Sequence, residues 1–194
     1  MRWLLAAHEK EIPGFLDFRV SDWQPRAVGV GQFAALSRLS ALLAVEKPAA
    51  ILLAGTAGAT EPAAVGQHFA VQHFAYPSIA GEDLPEFLER AFTTEPAISV
   101  GGFSPATVLQ NHGVSTDLTK FVSNAGYIPP DYPRPILENM EAAALAQLCR
   151  RLQIPFTALI AVTNTIGPDA RLQWKQNFRR AGEQLAVSLR QVLG

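Results

Sequence analysis

Residues 138–165 read ENMEAAALAQLCRRLQIPFTALIAVTNT, and two periods follow one another in them. Glu141, Leu145, Leu148 and Leu152 recur at helical spacing, which predicts a helix opening near Glu138. Pro155 then stops the helix, and the run to Thr163 is apolar almost throughout. Such a run predicts a long strand buried on both faces, as in a largely parallel sheet. The pair is one helix–strand unit of an α/β fold.

Outward from this unit the alternation continues. Trp3 to Ala7 reads as a strand and Ala27 to Val30 as a shorter one. After Gly29-Val30-Gly31, a stripe of Phe33, Leu36, Leu39 and Leu43 predicts a helix ending before Pro48. Ala49 to Ala54 reads as a central strand stopping at Gly55-Thr56-Ala57-Gly58, and Gly66 to Tyr76 as another strand. Leu84 to Phe92 predicts a short helix, and Ala97 to Val100 and Thr119 to Ser123 predict strands flanking a polar, glycine-containing segment from Gly101 to Asp117. Tyr127 to Pro135 holds four prolines and is loop. Trp174, Phe178, Ala181, Leu185, Leu189 and Val192 stripe a closing helix. With no linker, repeat or low-complexity tract, the expectation is a single domain over residues 1–194: α/β, with a mixed sheet covered on both sides.

Composition narrows the function. The chain has 194 residues, 48% apolar and 17% charged, and a formal charge of −1, so nothing favours a nucleic acid or an anionic membrane surface as partner. Cys149 is the one cysteine, which excludes an intrachain disulfide and a multi-thiolate metal site. His8, His68 and His73 are too scattered to predict a metal centre, and His112 sits in a polar stretch. The apolar start, Met1 to Ala7, reaches His8-Glu9-Lys10-Glu11 too soon for a signal sequence, and no run is long enough to cross a membrane. A soluble, cytoplasmic protein is expected.

In open α/β sheets, ligands gather at the carboxyl ends of strands. Those ends here carry Ala7-His8-Glu9-Lys10-Glu11, Gly55-Thr56-Ala57-Gly58 and Thr163-Asn164-Thr165, with Glu138-Asn139-Met140-Glu141-Ala142 opening a helix nearby. Glu141 stands out, because three alanines and Leu145 continue its face and direct its carboxylate inward. A buried carboxylate needs partners, and two ligand hydroxyls would serve. The competing reading is a helix-start acid favoured by the macrodipole.

Together, Ala7-His8-Glu9-Lys10-Glu11-Ile12, Gly29-Val30-Gly31, Gly55-Thr56-Ala57-Gly58, Asn139-Met140-Glu141-Ala142-Ala143-Ala144, Pro155-Phe156 and Thr163-Asn164 resemble the nucleoside phosphorylase/nucleosidase superfamily. That family includes purine nucleoside phosphorylases, methylthioadenosine/adenosylhomocysteine nucleosidases and futalosine hydrolases. The resemblance implies a three-layer α/β/α sandwich, a homodimer or higher oligomer, a small-molecule purine nucleoside as partner and no cofactor. By position, Glu141 would hold the ribose 2′- and 3′-hydroxyls with Met140 against the sugar. Glu11 would activate water, and Thr56, Ala57 and Gly58 would line sugar and base. Phe103 would fall near the base-stacking aromatic.

Hydrolysis and phosphorolysis make different demands. A phosphorylase cradles an anion, whereas a hydrolase needs a general base for water. The phosphorylases this chain resembles carry an arginine after the first strand and a serine beyond the Gly-x-Gly turn. Here those slots hold Glu9-Lys10-Glu11 and Phe33-Ala34-Ala35; Lys10 and Arg26 could be offered as anion ligands, but a lone basic residue is usually a solvated surface charge. Water is therefore the expected nucleophile, with a phosphorylase and a non-catalytic nucleoside-binding relative as alternatives. In methylthioadenosine nucleosidases the position of Asn164 is an aspartate. An amide N–H donates to N7 and O6 of a 6-oxopurine, and Asn164-Thr165-Ile166-Gly167 followed by Trp174 resembles futalosine hydrolases.

Overall fold

The computed structural model describes residues 1–18, 20–76, 91–99, 101–110 and 131–194. Among them are eight strands: β1 (Arg2–Ala6), β2 (Trp23–Ala27), β3 (Ile51–Ala59), β4 (His68–Ala75), β5 (Ala91–Thr93), β6 (Ser104–Gln110), β7 (Ile136–Asn139) and β8 (Phe156–Thr165). The helices are α1 (Gln32–Leu43), α2 (Ala142–Arg151) and α3 (Ala170–Leu193), with short 3₁₀ turns at Glu9–Glu11, Phe15–Asp17 and Pro62–Ala64.

The strands form one mixed sheet that curls on itself. β8 lies parallel to β3 along one edge and antiparallel to β4 along the other. Pairing then closes a ring through β3, β7, β6, β4 and β8. β1 and β2 extend the sheet beyond β3 in parallel, and β5 adds an antiparallel edge to β4.

Two apolar layers sandwich this sheet. On one face, Ala35 and Leu39 of α1 and Ala142, Ala143, Leu145 and Ala146 of α2 pack on Leu53, Val71 and Ile160. On the other, Ala181, Leu185 and Leu189 of α3 meet Leu4, Leu52 and Leu159. Each fully buried leucine contributes roughly 2 kcal/mol of hydrophobic stabilisation. The three-layer α/β/α arrangement expected from the sequence is present.

Several expected elements shift. The second strand is Trp23–Ala27, not 27–30: its Pro25 is tolerated at the sheet edge, and the chain has left the strand by the glycine turn. The Gly55–Gly58 stretch continues β3 instead of ending it, because β8 pairs with it all the way from Ile51 to Ala59. Phe33 of the predicted α1 stripe is 87% exposed, whereas Leu39 is buried with Ala35, and Leu36 and Leu43 pack against the core. Residues 97–99 are not strand, with bends at 97 and 98, and the 101–117 segment contains β6. The helix predicted over 84–92 lies outside the described residues up to 90, and its end, Ala91–Phe92, is in β5. The strand predicted at 119–123 and His112 also lie outside them. Among the described residues no helix is long and apolar enough to cross a membrane.

Candidate active site

A cavity of ≈ 760 Å³ opens where β1, β3, β7 and β8 deliver their polar ends. Ala7, His8 and Glu11 enter it from the turn after β1, Thr56, Ala57 and Gly58 from β3, Met140 and Glu141 from the start of α2, and Thr163 and Asn164 from β8. Lys10, Arg171, Trp174 and Phe178 complete much of the wall. The structure thus brings together seven of the eight residues singled out from sequence. Phe103 is the exception. It lies beyond the opposite end of β6 from Gln110, in a separate shallow pocket beside His68, Gln184 and Ser188.

Glu11 closes a one-turn 3₁₀ helix. Nδ1 of His8 accepts from the Lys10 amide at 3.0 Å, while Oε2 of Glu11 accepts from the amides of Ala7 and His8 at 3.1 and 3.3 Å. These bonds aim a carboxylate into the cavity from a backbone that cannot easily swing away. Burial, and then the Glu141 carboxylate, push the Glu11 pKa up to about 7; the two backbone donors and the Thr56 hydroxyl pull the other way. A carboxyl poised near neutrality is suited to exchanging a proton with water.

Glu141 occupies the N-cap position of α2, yet its carboxylate does not cap the helix. Asn139 does that work: its Oδ1 accepts from the amides of Glu141 and Ala142 at 2.8 and 2.7 Å, and its Nδ2 donates to the Thr56 carbonyl at 3.0 Å. Gln110, fully buried at the end of β6, adds a second clamp. Its Nε2 donates to the Met140 carbonyl at 2.6 Å and its Oε1 accepts from the Ala144 amide at 3.1 Å. With these three amides taken by Asn139 and Gln110, the Glu141 carboxylate is left to the cavity. There Oε1 accepts from the Gly31 amide at 2.6 Å, at a backbone φ of 86° that glycine adopts without strain. Burial raises the Glu141 pKa, and that amide is the largest influence opposing it. Glu141 does stand at the start of α2, as the helix-start-acid reading has it, but it makes no cap bond; Asn139 and Gln110 serve helix amides, and neither was picked out as a site residue, because their partners are distant in sequence or on the backbone.

Asn164 follows a bulge. Ala57 pairs with Val162 but Gly58 pairs with Asn164, so Thr163 is the extra residue. The Thr163 hydroxyl lies 2.8 Å from Oδ1 of Asn164, and Nδ2 of Asn164 donates to the Thr165 carbonyl at 3.0 Å. A flipped amide would set oxygen against that carbonyl, so the orientation is fixed by its neighbours. A Cβ at Gly58 would come within 2.7 Å of Nδ2, which is why β3 carries glycine there.

The fold is a three-layer α/β sandwich with an acid-lined cavity at the strand ends of a curled mixed sheet. Residues 101–194 match the sequence model of the phosphorylase superfamily. No curated protein matches the chain by sequence. Among solved structures, a 5′-methylthioadenosine/S-adenosylhomocysteine nucleosidase from S. pneumoniae, in complex with a transition-state inhibitor, superposes with a TM-score of 0.78 at 15% identity, covering 100% of both chains. The same kind of nucleosidase from Helicobacter pylori gives 0.78 at 12% identity, over 98% of this chain and 96% of that one. A futalosine hydrolase mutant from Helicobacter pylori gives 0.73 at 13%, over 97% and 96%. The resemblance read from the sequence is thus met in fold along nearly the whole chain and in sequence over its C-terminal part.

Proposed function

We propose that this chain is a purine nucleosidase. The observation carrying the proposal is the convergence of Glu11 and Glu141, far apart in sequence, on one cavity and close enough to raise the Glu11 pKa electrostatically. In this reading Glu141 accepts from the ribose 2′- and 3′-hydroxyls, with Met140, Ala57 and Gly58 against sugar and base. Glu11 takes a proton from water as the water oxygen bonds to the anomeric carbon. The glycosidic C–N bond breaks, the purine leaves with its electron pair, and an Asn164 N–H stabilises the charge developing on N7 or O6. The base gains its proton from solvent.

The fixed amide favours a 6-oxopurine over adenine. Futalosine is the preferred substrate. Trp174 and Phe178, with ring centroids 4.8 Å apart, and Arg171 and Lys10 offer the rest of the cavity an aromatic surface and cations for an anionic aryl 5′ substituent. We further propose a cytoplasmic homodimer of single-domain subunits.

The test is purine release from inosine and futalosine, with and without phosphate. Free sugar without a phosphate requirement is expected, and Glu11→Gln and Glu141→Gln should each lower kcat/KM by roughly 10²-fold or more. Sugar 1-phosphate as the product, or full activity in both variants, would overturn the assignment.

A further inference from the structure

The bulge at Thr163 aims Asn164 into the cavity, and α3 grips the backbone on both sides of it. Asn177 donates from Nδ2 to the Thr163 carbonyl at 2.8 Å. Gln173, one helical turn earlier, accepts at Oε1 from the Thr165 amide at 2.8 Å and from the Thr165 hydroxyl at 3.0 Å. The Thr163 hydroxyl and the Thr165 carbonyl are the two groups that orient the Asn164 amide. Each gripped residue is therefore also one that sets which end of that amide meets the ligand. Neither Gln173 nor Asn177 lines the cavity.

We infer that Gln173 and Asn177 are positioning residues for base selectivity: they lock the bulge so that Asn164 presents an N–H, and the preference for a 6-oxopurine depends on them as well as on Asn164. The inference rests on the proposed purine-nucleoside site. The two side chains work with opposite polarity, Gln173 only as acceptor and Asn177 only as donor. That difference separates positioning from general packing. Glu at position 173 keeps an acceptor, whereas Met keeps only the length. Asp at position 177 keeps the shape but turns an acceptor toward a carbonyl.

The experiment compares inosine with adenosine, as a ratio of kcat/KM and as a ratio of Kd by calorimetry, in the wild type, Gln173→Glu, Gln173→Met and Asn177→Asp. Gln173→Glu should retain the wild-type ratio, and Gln173→Met and Asn177→Asp should each lower it by about tenfold, the worth of one hydrogen bond. The pH at which activity is half-maximal should stay in place, since Glu11 is untouched. Wild-type ratios in all three variants would overturn the inference, as would equal losses in Gln173→Glu and Gln173→Met. A wild type that neither binds nor cleaves purine nucleosides would instead refute the function on which it rests. Calorimetry keeps the selectivity test decisive for a protein that binds nucleosides without turning them over.

Discussion

Glu11 should weaken the fold at the pH where it is useful, and the size of that effect follows from its surroundings. In an unfolded chain the carboxyl titrates near 4.5, while in the folded protein burial and Glu141 hold it at about 7. Between those values the folded protein keeps a proton that the unfolded chain has released, so stability falls as pH rises through the window and is flat outside it. A difference of about 2.5 pH units at 1.36 kcal/mol each amounts to roughly 3 kcal/mol. Glu11→Gln removes the titration while leaving an amide oxygen to accept from Ala7 and His8. Urea unfolding of both proteins from pH 4 to 8.5 should therefore give similar stabilities at the acid end. By pH 8 the variant should lead by about 3 kcal/mol, a difference in melting temperature of roughly 10 °C for a chain of this size. Because Glu141 is the second cause of the shift, Glu141→Gln should narrow the window from its upper end. Parallel stability curves for wild type and Glu11→Gln would show that the carboxylate is not held against burial, and the general-base assignment would lose its physical support.

The same titration predicts the rate profile. A base must be ionised, so kcat/KM should rise with pH and level off above about 7, and Glu141→Gln should move the limb to lower pH; a flat profile across neutrality would contradict this. Gly182 of α3 offers a steric test, since a Cβ there would run into the Glu11 carbonyl oxygen. Gly182→Ala should cost about 1–3 kcal/mol of stability and lower kcat by displacing the Glu11 turn; wild-type values for both would show that helix and turn do not constrain each other.

The parts of the fold that were legible in the sequence are those whose burial leaves a local pattern. β8 is an almost wholly apolar run and formed where it was expected, whereas α2, amphipathic as predicted, opens at Ala142 and not near Glu138, because Glu138 and Asn139 close the unpredicted strand β7. β6 was not legible. It begins Ser104-Pro105 and ends in Gln110, and its buried polar residues are satisfied from far along the chain: Thr107 by the Pro133 carbonyl, Gln110 by Met140 and Ala144. A period-based reading sees only the polarity and takes such a strand for loop. The misplacement of Phe103 has the same origin. With β6 unrecognised, nothing showed that Phe103 precedes a seven-residue strand, about 23 Å long, whose far end is the one facing the site.

The site divides along the same line. Glu11, Glu141 and Asn164 were visible because charged or amide groups at strand ends and helix starts need an explanation where they stand. Asn139 stood inside a recognised motif without a role, and Gln110, Gln173 and Asn177 carried no signal, since each bonds to backbone or to a hydroxyl that a sequence does not locate. Yet these amides decide what the acids can do. At the start of α2 Asn139 accepts from the amides of Glu141 and Ala142, and the Glu141 carboxylate is left for the cavity. A carboxylate so released keeps the burial penalty that raises its pKa, and its charge in turn raises that of Glu11. Loss of the Asn139 amide would therefore act on Glu11 through Glu141, changing proton transfer at a residue it does not touch.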